Sequence, residues 1–146
     1  MAKEGIGMNK KTITCTSVII DGEDMYESAF TADGWIHTDG NQLVQIDFHE
    51  PQLSENGVDM VSKLVVHKES IELFRHGEAI MKQRFESGVA HAGSYEVEQG
   101  SFETLAHTLD LQINCDIDQG TITILYDFYL NKTKSGTFQL EIRYQD

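Results

Sequence analysis

The chain has 146 residues, of which 40% are hydrophobic and 24% are charged, a composition typical of a globular domain that buries a core. Its 24 acidic residues outnumber its 11 basic ones and give a formal net charge of -13. Such a surface repels nucleic-acid phosphates and anionic lipid headgroups, so neither nucleic acid nor membrane is expected as a partner. No apolar run approaches the ~20 residues that span a bilayer, and no signal peptide is apparent, so a cytoplasmic location is expected.

Residues 1–10 lack a clear pattern and are expected to form a flexible N-terminal extension, followed by a single domain over residues 11–146. The domain opens with a run of β-branched residues from Lys11 to Ile20, which predicts a strand. The residues from Glu50 to Gly57 include the single proline and predict the longest loop. Alternating apolar and polar residues predict further strands at 25–35, 43–49, 58–67, 71–75, 79–85 and 90–97.

The clearest alternation lies in the last third of the chain and predicts three long strands joined by short glycine-containing turns. The first of these strands has its apolar face on alternate positions, which are Leu105, His107, Leu109, Leu111, Ile113, Cys115 and Ile117. The next two carry their apolar faces on Ile122, Ile124, Tyr126, Phe128 and Leu130, and on Phe138, Leu140, Ile142 and Tyr144. Together they predict an antiparallel meander.

The whole pattern predicts an all-β protein of eight to ten antiparallel strands without a helical period in any window. An open sheet of that many strands would expose two long edges, so closure into a barrel or folding into a sandwich is expected. Consecutive hairpins favour the up-and-down β-barrel.

A set of strand-and-turn patterns runs through most of the chain, at Ser70 to Gly77, Met81, Phe85 to Gly88, Gly100 to Phe102 and Leu125 to Leu130. These patterns resemble the YwiB-like proteins, a small bacterial family of unknown function placed among the calycins, the superfamily of lipocalin-like β-barrels. The resemblance implies a calycin, lipocalin-like fold and supplies no catalytic residues.

The sequence contains no clear catalytic, metal-binding or cofactor-binding motif. The six histidines lack the close spacing of metal ligands, and there is no Gly-x-Ser-x-Gly elbow or phosphate-binding glycine loop. We therefore predict no metal and no cofactor, and an enzyme is the least favoured class. Cys15 and Cys115 lie far apart in predicted strands and are expected to be reduced thiols.

Three polar residues fall on strand faces that are otherwise apolar, namely Arg75, His107 and Tyr126. A buried guanidinium must be paired or hydrogen-bonded, and in a ligand-binding barrel a bound anion meets that need. Alternatively, Arg75 reaches solvent near the end of its strand or pairs with one of the many acidic residues. His107 and Tyr126 are equally compatible with a role in the core.

The leading hypothesis is a non-enzymatic barrel that binds a small, partly apolar or anionic ligand in its interior, with Arg75, His107 and Tyr126 as contacts. The alternative is a protein-interaction or structural module whose barrel is packed solid, and which forms a homodimer. A barrel of about eight strands is the size at which both interiors are possible.

Overall fold

The computed structural model describes residues 6–40, 42–53 and 59–146 and shows ten antiparallel strands. These are β1 (Ile6–Asp21), β2 (Asp24–Asp39), β3 (Gln42–Leu53), β4 (Asp59–Val66), β5 (Ser70–His76), β6 (Ile80–Glu86), β7 (Ala90–Val97), β8 (Gly100–Cys115), β9 (Gly120–Leu130) and β10 (Thr133–Gln145). Within these ranges, no helix is long and apolar enough to cross a membrane.

The strands form a closed up-and-down barrel in which each strand pairs with its neighbours in sequence. The ring closes where β1 pairs with β10 in antiparallel register, with Thr12 opposite Gln145. The all-β fold and the antiparallel up-and-down barrel predicted from the sequence are therefore confirmed.

Two strands, β1 and β3, extend further than the sequence indicates. β1 begins at Ile6, opposite Asp39 of β2, so residues 6–10 form part of the barrel wall and not of a separate extension. β3 continues through Pro51 to Leu53, into the stretch expected to be a loop. The remainder of the expected extension, residues 1–5, and of the expected loop, residues 54–57, lies outside the described part of the chain.

A β-bulge in β8 reverses which side chains point into the barrel. The register with β9 shifts between Thr108 and Asp110, so one extra residue is inserted into β8. Before the bulge, Leu105 is exposed and Ala106 is buried, whereas after it Leu111 packs against the core. The prediction of one continuous apolar face from Leu105 to Ile117 is therefore wrong for the first half of the strand, because a one-residue insertion inverts the period of two.

The interior is packed solid in one half of the barrel. Large aliphatic and aromatic side chains from most strands meet there with 0 or 1% of their surface exposed, among them Ile13, Ile36, Ile46, Leu64, Ile71, Phe85, Ile122, Ile124, Ile142 and Tyr144. The ring of Tyr144 lies over Gly120, where an added Cβ would come within 2.6 Å of it. The Tyr144 hydroxyl donates to the Asp116 carbonyl, which fixes the ring across this end.

The ladder between β6 and β7 is short, because their register runs only from Ile80 to Lys82 on β6. Beyond it, the buried carboxamide of Gln83 takes the place of the missing backbone bonds. Its Nε2 donates to the His91 carbonyl at 2.9 Å, and its Oε1 accepts from the Thr104 hydroxyl at 2.7 Å. Gly93 lets these groups approach, since a Cβ there would lie 2.3 Å from the Lys82 carbonyl oxygen.

Candidate ligand-binding cavity

The other half of the barrel holds a partly open cavity of about 730 Å³. Strand β1 passes from the packed half into the cavity with its inward parity unchanged, since Ile13 is followed inward by Cys15 and Ser17. The inward positions at this end include small residues, Ser17, Ser28 and Ser62, where the packed end has isoleucine and leucine. These short side chains leave the space empty, because they cannot reach the barrel axis.

Aromatic side chains form much of the cavity wall. Phe138 stacks on Tyr126 with ring centroids 5.4 Å apart and lies 5.3 Å from Phe128. On β2 and β3, Phe30 lies 5.9 Å from Phe48. These rings provide an apolar surface suited to hydrocarbon or aromatic ligands.

An ion pair between Arg75 and Glu50 lies in this apolar wall. Arg75 Nη2 is 2.6 Å from Glu50 Oε1 and 2.8 Å from Oε2, and the Ser62 hydroxyl contacts Oε1 at 3.5 Å. The Glu50 side chain is 12% exposed and the Arg75 side chain 32%. Arg75 therefore points into the barrel and pairs with an acidic residue, which combines two of the interpretations that the sequence allows.

Arg75 leaves more of its hydrogen-bond donors unused than Glu50 leaves of its acceptor sites. Glu50 uses both carboxylate oxygens. The bonds that Arg75 makes to the described residues leave only from Nη2, and its buried Nε finds no acceptor among them. A guanidinium has five N–H donors, so those of Nη1 also lack an acceptor among the described residues.

Tyr126 also lines the cavity and is 6% exposed. Its ring contacts Phe85 of the packed half, with centroids 4.6 Å apart, so it forms part of the cavity floor. Burial raises the pKa of Tyr126 above that of an ordinary phenol, and the nearby Arg75 charge only partly opposes this. The hydroxyl thus stays protonated and can donate.

His107 does not join Arg75 and Tyr126. It precedes the bulge in β8, so its exposed side chain points outward, and its cross-strand partner on β9 is Asp127. The expected inward position of His107 is therefore wrong, for the same reason as that of Leu105.

Glu50 is the functional candidate that the sequence interpretation missed. The sequence places it in the expected loop, because Pro51 follows it. Its position alternates with Ile46 and Phe48, both buried, so extending the strand by one residue past His49 would have placed the carboxylate inside the barrel.

The two cysteines are free thiols in different parts of the barrel. Cys15 is 7% exposed at the cavity floor in β1, and Cys115 is half-buried in β8, three strands away around the ring. Burial raises the pKa of Cys15 to about 11, with a smaller contribution from the Glu50 charge that Arg75 opposes. Burial also raises the pKa of Cys115. Both thiols are consequently poor nucleophiles at neutral pH.

We expect the fold to weaken at alkaline pH partly because of Cys15. Its pKa rises from 9.0 to about 11 on folding, so above pH 9 the unfolded chain loses its thiol proton before the folded protein does. This loss stabilises the unfolded state relative to the folded one. The contribution is fully present below pH 9 and is lost as the pH rises toward 11. Urea unfolding should show Cys15→Ala losing about 1 kcal/mol less than wild type between about pH 8 and about pH 10. Equal losses in both proteins would contradict the prediction.

Among the described residues, no three histidine, cysteine, aspartate or glutamate side chains come together as a metal site would require. The side chains that do come together are the hydrogen-bond donors Arg75 and Tyr126 and the aromatic rings that line the cavity.

Comparison with known proteins identifies the family. A family model described as "Domain of unknown function (DUF1934)" matches residues 13–142. The chain is 25% identical over 135 residues to the "Uncharacterized beta-barrel protein YwiB" of Bacillus subtilis (strain 168), with 92% of each chain covered. The crystal structure of ywiB protein from Bacillus subtilis has the same fold, with a TM-score of 0.81 at 21% identity over 97% of this chain and 94% of that one. The resemblance to the YwiB-like proteins is thus confirmed, and the chain belongs to the DUF1934 family of β-barrel proteins of unknown function.

Proposed function

We propose that this protein binds one small, partly apolar ligand in the cavity of its barrel and does not act on it chemically. The observation that carries the proposal is the division of the interior into a packed half and a half that contains a cavity of about 730 Å³. Ligand sites in proteins fall in roughly the 300–1,000 Å³ range. The alternative of a solidly packed interaction module, as a monomer or a homodimer, has less support because only one half of the barrel is filled.

The lining suits such a ligand in two respects. The rings around Phe138 give it an apolar wall, where burial contributes roughly 25 cal/mol per Å² of ligand surface. Arg75 and Tyr126 provide donors that would fix its orientation, whereas His107 on the outer surface takes no part. The packed half below supplies a rigid floor through Phe85.

A cavity-filling substitution tests this proposal. Ser17 lines the cavity in β1, and its neighbour Thr16 points to the outside of the same strand. We expect wild type to bind the uncharged dye Nile red at one saturable site, and Ser17→Phe to weaken that binding at least about tenfold by occupying the space.

Thr16→Phe is the matched control, because it adds the same ring on the other face and should leave dye affinity unchanged. Equal dye affinity in the two variants would contradict binding inside the barrel. Native mass spectrometry of gently purified protein adds a second readout, since a carried ligand would appear as extra mass on the folded species alone.

A further inference from the structure

We infer that the ligand is uncharged and presents a hydrogen-bond acceptor, such as a carbonyl oxygen, to Arg75; this rests on the proposed function. The charges that line the cavity balance each other. Glu50 lies within 2.6 Å of Arg75 and is more buried than its partner, so the only ion pair among the described cavity residues is already neutral. The guanidinium therefore needs no ligand anion to compensate its charge.

Arg75 and Glu50 differ in how many hydrogen-bonding groups they leave unused. Both Glu50 oxygens accept from Arg75, and Oε1 also contacts the Ser62 hydroxyl. The Arg75 Nε is buried without an acceptor among the described residues. The Arg75 side chain is 32% exposed at the cavity, and its bonds to the described residues leave only from Nη2, so its Nη1 donors are available to a ligand acceptor. The carboxylate thus uses three of its roughly four acceptor sites, whereas the guanidinium uses two of its five donors, so a ligand oxygen finds more free partners than a ligand amine does.

A neutral acceptor suits the cavity better than an anionic one. A ligand carboxylate would place a second negative charge beside Glu50, among aromatic rings that lower the local dielectric. The approach of an anion is also opposed by the net charge of -13. A carbonyl, ester or ether oxygen accepts from the same N–H groups without adding charge. The rest of the ligand would be aromatic or aliphatic, to match the apolar wall around Phe138.

Three probes of nearly the same shape test the inference: methylnaphthalene, methyl naphthoate and naphthoate. The first has no acceptor, the second has a neutral one and the third carries a charge. By fluorescence titration at neutral pH, we expect wild type to bind methyl naphthoate at least tenfold more tightly than naphthoate, and several-fold more tightly than methylnaphthalene.

Replacing the counter-ion should reverse the preference. Glu50→Gln keeps the shape of the side chain but leaves the Arg75 charge unbalanced, so naphthoate should gain at least tenfold in affinity while methyl naphthoate changes little. Glu72→Gln is the matched control, because it removes a charge from β5 on the outer surface, where Glu72 contacts His67 at 2.8 Å. It should leave the order of the three probes as in wild type.

The outcomes separate this inference from the proposed function. If wild type binds all three probes but favours naphthoate, or if Glu50→Gln folds and does not improve naphthoate binding, the inference is overturned and the cavity proposal stands. If wild type binds none of the probes and no Nile red, the proposed function itself is overturned. The comparison of probes in wild type decides the matter even if Glu50→Gln fails to fold.

Discussion

Replacing Phe85 with alanine is expected to lower the free energy of unfolding by about 4 kcal/mol. Phe85 of β6 is fully buried and its ring contacts Tyr126 at the boundary between the packed half and the cavity. The substitution loses the burial of a whole ring and joins the new void to the space above it. The neighbouring side chains cannot collapse into that space, because the closed hydrogen-bonded wall holds the strands apart.

Phe74→Ala provides the control for this measurement. Phe74 lies on the adjacent strand β5 but on its outer face, half-buried, with the Lys63 ammonium 6.0 Å from its ring centroid. Its removal should cost no more than about 1 kcal/mol in urea unfolding followed by circular dichroism. A similar loss in the two variants would show that Phe85 does not support the barrel in the way its burial indicates.

Gly93→Ala is expected to cost about 3 kcal/mol, although it adds a single methyl group. The new Cβ would lie 2.3 Å from the Lys82 carbonyl oxygen and 2.6 Å from Gln83 Oε1. The first of these is backbone and cannot rotate away, so β6 and β7 must separate where their ladder is already short. The separation would also disturb the hydrogen bonds that Gln83 makes across the gap.

Gly7→Ala makes the same change in a strand where the neighbour can move. There the Cβ would meet the Thr38 hydroxyl oxygen at 3.1 Å, a side-chain atom that can adjust by a few tenths of an ångström. We expect this variant to unfold within about 0.5 kcal/mol of wild type. If Gly93→Ala proved as mild, the close approach of β6 and β7 would not be a constraint on the fold.

The architecture could be predicted from the sequence because most strands keep an unbroken period of two. Arg75 in β5 and Tyr126 in β9 were placed on the inner face correctly, since neither strand has an irregularity between that residue and its buried neighbours. The sequence places His107 on the wrong face, because the β8 bulge adds one residue and no glycine or proline marks its position. Leu105 and Leu109 were then misleading, as exposed leucines look like core residues in a sequence.

The cavity was beyond the reach of the sequence because it depends on register between strands. Ser17 and Ser28 are eleven positions apart, yet the β1–β2 register sets them directly opposite each other, and two short side chains meet on one side of the barrel. The Arg75–Glu50 pair likewise joins β5 to β3, two strands away around the ring. Alternation along one strand tells which face a residue occupies, but not which residues share a level inside the barrel.

The pairing of β1 with β10 differs from the other ladders in the chain entropy that is lost when it forms. Every other ladder among the described strands joins consecutive segments through a turn or loop, but this one brings together residues as distant as Thr12 and Gln145. Closing a loop of about 130 residues costs about 2 kcal/mol more than closing one of about 10. Closing the ring therefore carries a larger loop-closure cost than forming any of the hairpins between consecutive strands.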